Sequence, residues 1–221
     1  MVEQAQTYWE NYYGKNIDPV LHLAFFNLTG LNEPRIIPPK EMWQDIIPFL
    51  NDMRMKVGYS DKNIYDKLIC GTNAVETVLK RVRGNYFNLE NESVARSNVG
   101  PVLLNCCCDM IIKPSNTDNG VNVRKLRIDR KDGLNLEGVE GYVGIEDLER
   151  IYGPNFIVQK AIMQHSVMAT PHPPSVNTLR MVTLRWDNEI KHLMTFARFG
   201  CHGNSTDNAG TGGLCVGITD G

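Results

Sequence analysis

Near the C-terminal end of the chain, Ser175-Val-Asn-Thr-Leu-Arg180 continues through Met181-Val-Thr-Leu-Arg-Trp186 to Asp187-Asn188. A second β-prone run follows, as far as Ala197-Arg-Phe-Gly200. Asp and Asn tolerate positive φ, so the pair predicts a two-residue hairpin turn between long antiparallel strands. Beyond it lies Asp207-Asn-Ala-Gly-Thr-Gly-Gly213, a glycine-rich loop. Arginines on strands beside a loop rich in backbone N–H groups suit the holding of anionic oxygens. With a two-residue turn, Thr195 faces Arg180 and Arg198 faces Asn177. Side chains alternate along a strand, so Arg180 and Arg198 are expected on opposite faces, with Arg180 the one that reaches the anion. A single bulge would reverse that relation.

The chain has 221 residues, long enough to bury a core. A net charge of −2 gives no basic footprint for nucleic acid. No apolar run approaches the roughly 18 to 20 residues of a membrane helix. The opening Met-Val-Glu-Gln-Ala-Gln lacks the basic and apolar regions of a secretory signal. Cys106, Cys107 and Cys108 are consecutive, and none of the six cysteines forms a CxxC pair, which excludes a disulfide framework or a zinc ribbon. On a strand the three would alternate sides as small buried thiols. A reducing cytoplasm is the expected compartment. His165, His172, His192 and His202 form no i, i+4 pair, so no histidine metal site is expected.

Residues 1–60 are expected to be mainly helical. An aromatic group (Tyr8, Trp9, Tyr12, Tyr13) fits one face of the first helix. Met42, Trp43, Ile46, Ile47, Leu50 and Met53 give a second helical stripe, kinked or restarted at Pro48. Ser60 or Asp61 can cap a helix carrying Ile64, Tyr65, Leu68 and Ile69, which places Lys62 in its first turn, where the dipole favours an anion nearby. Thr77–Arg83 reads as a strand ending at Gly84, and 85–100 as a loop with a short helix. Met110-Ile-Ile-Lys-Pro114, the polar loop Ser115-Asn-Thr-Asp-Asn-Gly120 and Val121–Leu126 form a strand, loop and strand with a lysine at the lip. Such a hairpin can fold over a phosphate chain, although it is not the GxxxxGK[ST] pattern. A turn-rich stretch over 129–141, with Asp132-Gly133 a hairpin turn, precedes a helix over Ile145–Tyr152. A buried strand over Phe156–Ile162 and a Pro-rich loop at 166–174 complete the chain.

In order, the motifs are Asp61-Lys62-Asn63-x-Tyr65-x-Lys67-Leu68, Ile111-Ile-Lys113-Pro114 with Gly120-Val121, and Val158-Gln159-x-x-Ile162-x-Gln164-His165. They are followed by Ser175–Arg180 with Thr183, Arg198-x-Gly200, Asp207-Asn208 and Gly212-Gly213. This ordered set resembles the sugar-transfer-associated family of the ATP-grasp superfamily over residues 55–221. The resemblance implies an α+β, ATP-grasp-like fold in which two α+β subdomains sandwich a nucleotide. On that reading 1–97 is a mainly helical N-terminal region. A lid-like subdomain spans 98–160, and 161–221 is the first part of the C-terminal subdomain.

The resemblance also assigns roles. Lys62 and Lys113 would contact the ATP phosphates, with the loop from Ser115 to Gly120 folded over them. The hinge would run through Gln159, Lys160 and Ile162, with Gln159 and nearby backbone on the adenine edge, Ile162 on the ring and His165 at the ribose rim. Arg180 would stabilise the transferring phosphate, and Asn208 with the Gly212 and Gly213 amides would complete the cradle. The implied reaction activates a carboxylate as an acyl phosphate for an amine or hydroxyl acceptor, in polysaccharide or cell-surface sugar biosynthesis. The implied partners are ATP and a carboxylate or sugar-linked small molecule. Mg²⁺ is implied as well, its ligands expected beyond residue 221. The rival expectation is a non-catalytic nucleotide- or substrate-binding module. Positioning and charge neutralisation suffice for phosphoryl transfer, so no nucleophilic side chain is required.

Overall fold

The computed structural model describes residues 1–69, 74–117, 120–129 and 133–219. Contacts divide the chain into two units, Met1–Lys56 and Val57–Gly221.

In the first unit, α1 (Val2–Tyr13) ends at Gly14, whose φ of 67° lets its N–H reach the Glu10 carbonyl. Ala5 and Trp9 on α1 bury against Ile17, with Tyr8 and Tyr13 packed alongside. α2 (Val20–Thr29) carries the buried His22. The Pro34 carbonyl accepts from Trp9 Nε1 at 3.0 Å and lies 3.2 Å from His22 Nε2. The helical stripe expected to kink or restart at Pro48 runs without a gap through α3 (Pro39–Glu41), a π-turn (Met42–Ile46) and α4 (Ile47–Leu50). Pro48 has no N–H to continue the ladder, and the widened turn immediately before it absorbs the break. The helix stops at Leu50, so Met53 falls outside the stripe.

α5 (Lys56–Ser60) leads into the second unit. There Asp61 accepts from Asn63 N–H and caps a 3₁₀ turn (Lys62–Ile64) that continues as α6 (Tyr65–Leu68). Eight strands then build an antiparallel sheet: β1 (Thr77–Val82), β2 (Asn85–Phe87), β3 (Ser93–Val94), β4 (Met110–Pro114), β5 (Arg124–Asp129), β6 (Gly133–Leu136), β7 (Tyr142–Val143) and β8 (Phe156–Lys160). Their order is β3-β2-β1-β8-β4-β5-β6-β7. The last strand enters the centre, between β1 and β4, which is why Phe156-Ile-Val-Gln159 is buried throughout. One face carries Leu79, Met110, Ile112, Leu126, Phe156 and Val158. It packs on α7 (Arg96–Leu104) and α8 (Ile145–Tyr152) through Val99, Leu103, Leu148 and Tyr152.

Several local expectations change here. The stretch 85–100 holds two strands and the start of α7, and 133–136 is a strand of the sheet. Strands β1–β3, from the region expected to be mainly helical, join the same sheet as β4–β8. The three cysteines lie in the connection between α7 and β4, off any strand, so Cys107 and Cys108 are exposed and only Cys106 packs against the core. Cys70 and the Asp132 half of the Asp132-Gly133 turn lie outside the described residues.

α9 (Ser166–Ala169) gives one helical turn to the Pro-rich loop. A second, three-stranded sheet follows in the order β11-β10-β9, from β9 (Thr178–Trp186), β10 (Glu189–Phe199) and β11 (Leu214–Ile218). The turn between β9 and β10 is the expected one, with φ of 51° at Asp187 and 60° at Asn188.

Candidate nucleotide-phosphate site

Lys113 sits on β4, opposite Ile157 of β8, which in turn pairs with Lys80 of β1. This row alternates with Leu79, Ile112 and Val158, so it belongs to the sheet face turned away from the apolar core. The segment 61–68 packs on that face. Lys80, 1% exposed, donates to Asp66 at 2.8 Å and Asn91 at 2.9 Å, while Asn63 Nδ2 donates to the Arg81 carbonyl at 3.2 Å. These bonds fix the turn that carries Lys62.

Lys62 reaches the base of the 115–120 loop. Its backbone N–H donates to the Ser115 carbonyl at 2.9 Å, and its ammonium donates to the carbonyls of Ser115 (3.2 Å) and Thr117. Ser115 is fully buried, and its Oγ has no hydrogen-bond partner among the described residues. Lys113 is the second cation here. Burial, and then the neighbouring Lys62 charge, hold its pKa below the ordinary lysine value. No hydrogen bond or ion pair reaches its ammonium among the described residues. An unpaired, partly desolvated ammonium beside a second ammonium and an orphaned buried hydroxyl is a site arranged for an anion. A separate groove of about 540 Å³ on the first unit, lined by Gln4, Tyr8, Asn11 and Asn32 among others, has no cation in its wall and does not suit phosphate.

The hinge residues fall differently from one another. Gln159 pairs through its backbone with both Thr77 and Ile111, and its side-chain amide donates to the Val75 carbonyl and Thr77 Oγ1. The Lys160 and Ala161 amides donate to the Glu76 and Asp109 carbonyls. The main chain is therefore engaged as far as residue 161, and the first backbone not held by the sheet begins at Ile162, which is half exposed. The Lys160 ammonium forms an ion pair with Glu76. His165 caps α9 by accepting from Val167 N–H at Nδ1.

The hairpin departs from the simple register. Pairing follows it from Trp186↔Glu189 to Thr183↔His192, then shifts so that Val182 faces Met194, Arg180 faces Phe196 and Thr178 faces Arg198. Leu193 is the extra residue of a bulge. The bulge corrects the expectation for the arginines: Arg180 and Arg198 lie on one face, not two. His192 Nε2 lies 2.8 Å from Thr195 Oγ1, a contact that the added residue makes possible. Their partners differ. Arg198 donates to the Asp207 carbonyl at 2.9 and 3.1 Å, and Thr178 Oγ1 donates to the Asp207 carboxylate, pinning the glycine-rich loop against the hairpin. Arg180 is exposed and has no partner among the described residues.

Within that loop, Asn208 Oδ1 accepts from Gly210 N–H, Gly212 N–H donates to the Ala209 carbonyl, and Gly213 N–H to the Asn208 carbonyl. The Gly212 and Gly213 amides thus close the loop on itself and do not form the expected cradle. Gly213 is required for another reason: a Cβ there would lie 2.8 Å from the Asp207 and Asn208 carbonyl oxygens. A Cβ on Gly120 would come 3.9 Å from Thr206 Cγ2, so Gly120 lies beside the same C-terminal loop.

Residues 41–221 match the description sugar-transfer associated ATP-grasp. The chain belongs to that family. Comparison with curated proteins and with solved structures finds no match. The antiparallel sheets with flanking helices agree with the α+β ATP-grasp fold, and ATP-grasp membership brings ATP binding and ligase-type chemistry in a sugar-related setting. No described helix is long and apolar enough to cross a membrane. Mg²⁺ accompanies ATP in this superfamily. Among the described residues, however, no three His, Cys, Asp or Glu side chains lie close enough to hold a metal, so those residues do not fit it.

Part of this ATP-grasp chain's hairpin has a role that the sequence did not disclose. Ser175 and Asn177 are buried, and Ser175 Oγ donates to Asn177 Oδ1 at 2.7 Å. Both oxygens lie 3.2 Å from Gly200 N. His172 Nδ1 is 2.9 Å from Ser175 Oγ, and its Nε2 accepts from Gly203 N–H at 3.2 Å, which assigns the proton to Nδ1. Gln164 clasps Asn177 through both main-chain groups. The Ser-x-Asn part of the motif is therefore a buried polar knot that fixes where the hairpin starts. The sequence signal was the polar pair in a Pro-rich loop, which burial alone separates from a ligand wall.

Proposed function

We propose that the second unit binds ATP with its phosphates at Lys113 and Lys62, under the 115–120 loop. The observation that carries this reading is the unpaired, desolvated Lys113 ammonium beside Lys62 and the orphaned Ser115 hydroxyl, in a chain of the ATP-grasp family. An anion there relieves the repulsion between the two cations and supplies a partner for the Lys113 ammonium and the Ser115 hydroxyl, which have none among the described residues. Arg180, brought by the bulge to the face that holds the Asp207 loop, is the free guanidinium available to the transferring phosphoryl group. Ile162 packs on the adenine, and backbone from residue 162 onward reads its edge. The chemistry is attack of a carboxylate oxygen on the γ-phosphorus with release of ADP. An amine or hydroxyl then attacks the acyl carbon and expels phosphate. The context is polysaccharide or cell-surface sugar biosynthesis in the cytoplasm.

Titration calorimetry tests the site. ATP binds the chain, and Lys113→Met weakens it at least about tenfold, or ~1.4 kcal/mol. Equal affinity in the variant rejects the assignment. A second reading is a nucleotide-binding module without turnover. ATP binding with no ADP release across carboxylate and acceptor pairs would select it.

A further inference from the structure

Cys106 Sγ and Cys108 Sγ lie 3.4 Å apart, in the connection between α7 and β4. Cys106 is anchored against the core, whereas Cys108 is exposed. Cys107 between them has its thiol 3.6 Å from the Asn105 carbonyl. The connection is held at both ends: Cys106 N–H donates to the Leu103 carbonyl, and the Asp109 carbonyl accepts from Ala161 N–H at 2.8 Å. Two thiols are thus kept together by a braced backbone, with one of them accessible to solvent. From this geometry we infer that Cys106 and Cys108 form a reactive dithiol, a site for thiol–disulfide exchange with low-molecular-weight disulfides and for thiophilic reagents that bridge two sulfurs.

The exchange balances in two steps. The Cys108 thiolate attacks a small disulfide, forming a mixed disulfide and releasing one thiolate. Cys106 then attacks the Cys108 sulfur, closes the 106–108 disulfide and releases the second thiolate. Two electrons pass from the protein to the reagent, and two protons go to solvent. Although Cys108 is exposed, the partial desolvation of its thiol, and next the Cys106 neighbour, raise its pKa, while the Lys160 charge pulls it the other way. A raised pKa slows the first attack and destabilises the reduced dithiol's thiolate form, so it moves the couple towards the disulfide. The short ring opposes this through strain. This inference stands apart from the ATP reading, because none of its steps involves nucleotide.

The test uses the whole chain incubated with oxidised glutathione, acid-quenched, alkylated and peptide-mapped. The expected product is an internal 106–108 disulfide, with Cys107 alkylated. Cys106→Ser should instead hold glutathione on Cys108, its release slowed at least about tenfold for want of a neighbouring thiol. Cys107→Ser should behave as the parent chain. Phenylarsine oxide gives an independent reading that needs no oxidation: one equivalent should be retained by Cys107→Ser and lost from either Cys106→Ser or Cys108→Ser. Glutathione held equally on Cys107 and Cys108 with no internal disulfide, or arsenical retention unaffected by Cys106→Ser and Cys108→Ser, would overturn the proposal.

Discussion

Lys113 is a cation placed at a loss. Its folded pKa lies below its unfolded one, so between the two values the unfolded chain binds more protons, and stability rises with pH across that window. Below the folded pKa the destabilisation is present in full. Lys113→Met keeps the stem and removes the charge, and should stabilise the unliganded chain by about 1 kcal/mol, about 2–4 °C in Tm by scanning calorimetry at neutral pH. A lowered Tm would show that the ammonium has a partner. Tyr152 makes a contrasting case in the core. Burial pushes its pKa up to about 12, and its hydroxyl has no hydrogen-bond partner among the described residues. Tyr152→Phe should be neutral or stabilising, by up to about 1 kcal/mol in urea unfolding, since no bond is lost.

At the scale of elements, α8 is tied to the sheet by charge. Glu149 accepts from Tyr86 Oη at 2.8 Å and Arg96 Nη2 at 2.9 Å, and forms an ion pair with Arg81 at 3.1 Å. The Arg96 bond holds the Glu149 carboxyl below its ordinary pKa. Its contribution is present above the unfolded value, about 4.3, and is lost as pH falls through the folded one. Glu149→Gln should therefore cost about 1–3 kcal/mol at pH 7, with the gap to the parent chain closing in acid. The hairpin carries a second test. A Cβ on Gly200 would meet Ser175 Oγ at 2.5 Å and His172 Nδ1 at 2.7 Å. Gly200→Ala should cost about 1–3 kcal/mol by overpacking the knot. Much of these elements was legible: the Asp187-Asn188 turn, the Asp61 cap and the span of α8 follow from local residue chemistry. The bulge was not, because Leu193 looks like any strand residue and only pairing with β9 makes it extra. Nor was the exposure of Cys107 and Cys108, since a run of small apolar residues reads the same on a strand and in a connection.

Across the whole chain, order along the sequence carried the family and the α+β class, while assembly carried the site. Lys62 and Lys113 stood out as a first-turn lysine and a lysine ending an apolar strand. What the sequence did not disclose is that the loop after Lys113 is held by Lys62, while Lys113 has no partner among the described residues. Nor did it show that Gln159 and the Gly212-Gly213 amides serve the protein's own backbone. Those facts depend on which strands meet, above all on β8 entering the centre of the sheet. Among the described residues Lys113 has no partner, and an anion can supply one. The most direct measurement is NMR titration of the chain with ¹³C-methylated lysines, with and without ATP. The Lys113 resonance should titrate below the ordinary lysine range in the free chain and move upward when ATP is bound. A Lys113 pKa unchanged by saturating ATP would contradict the account.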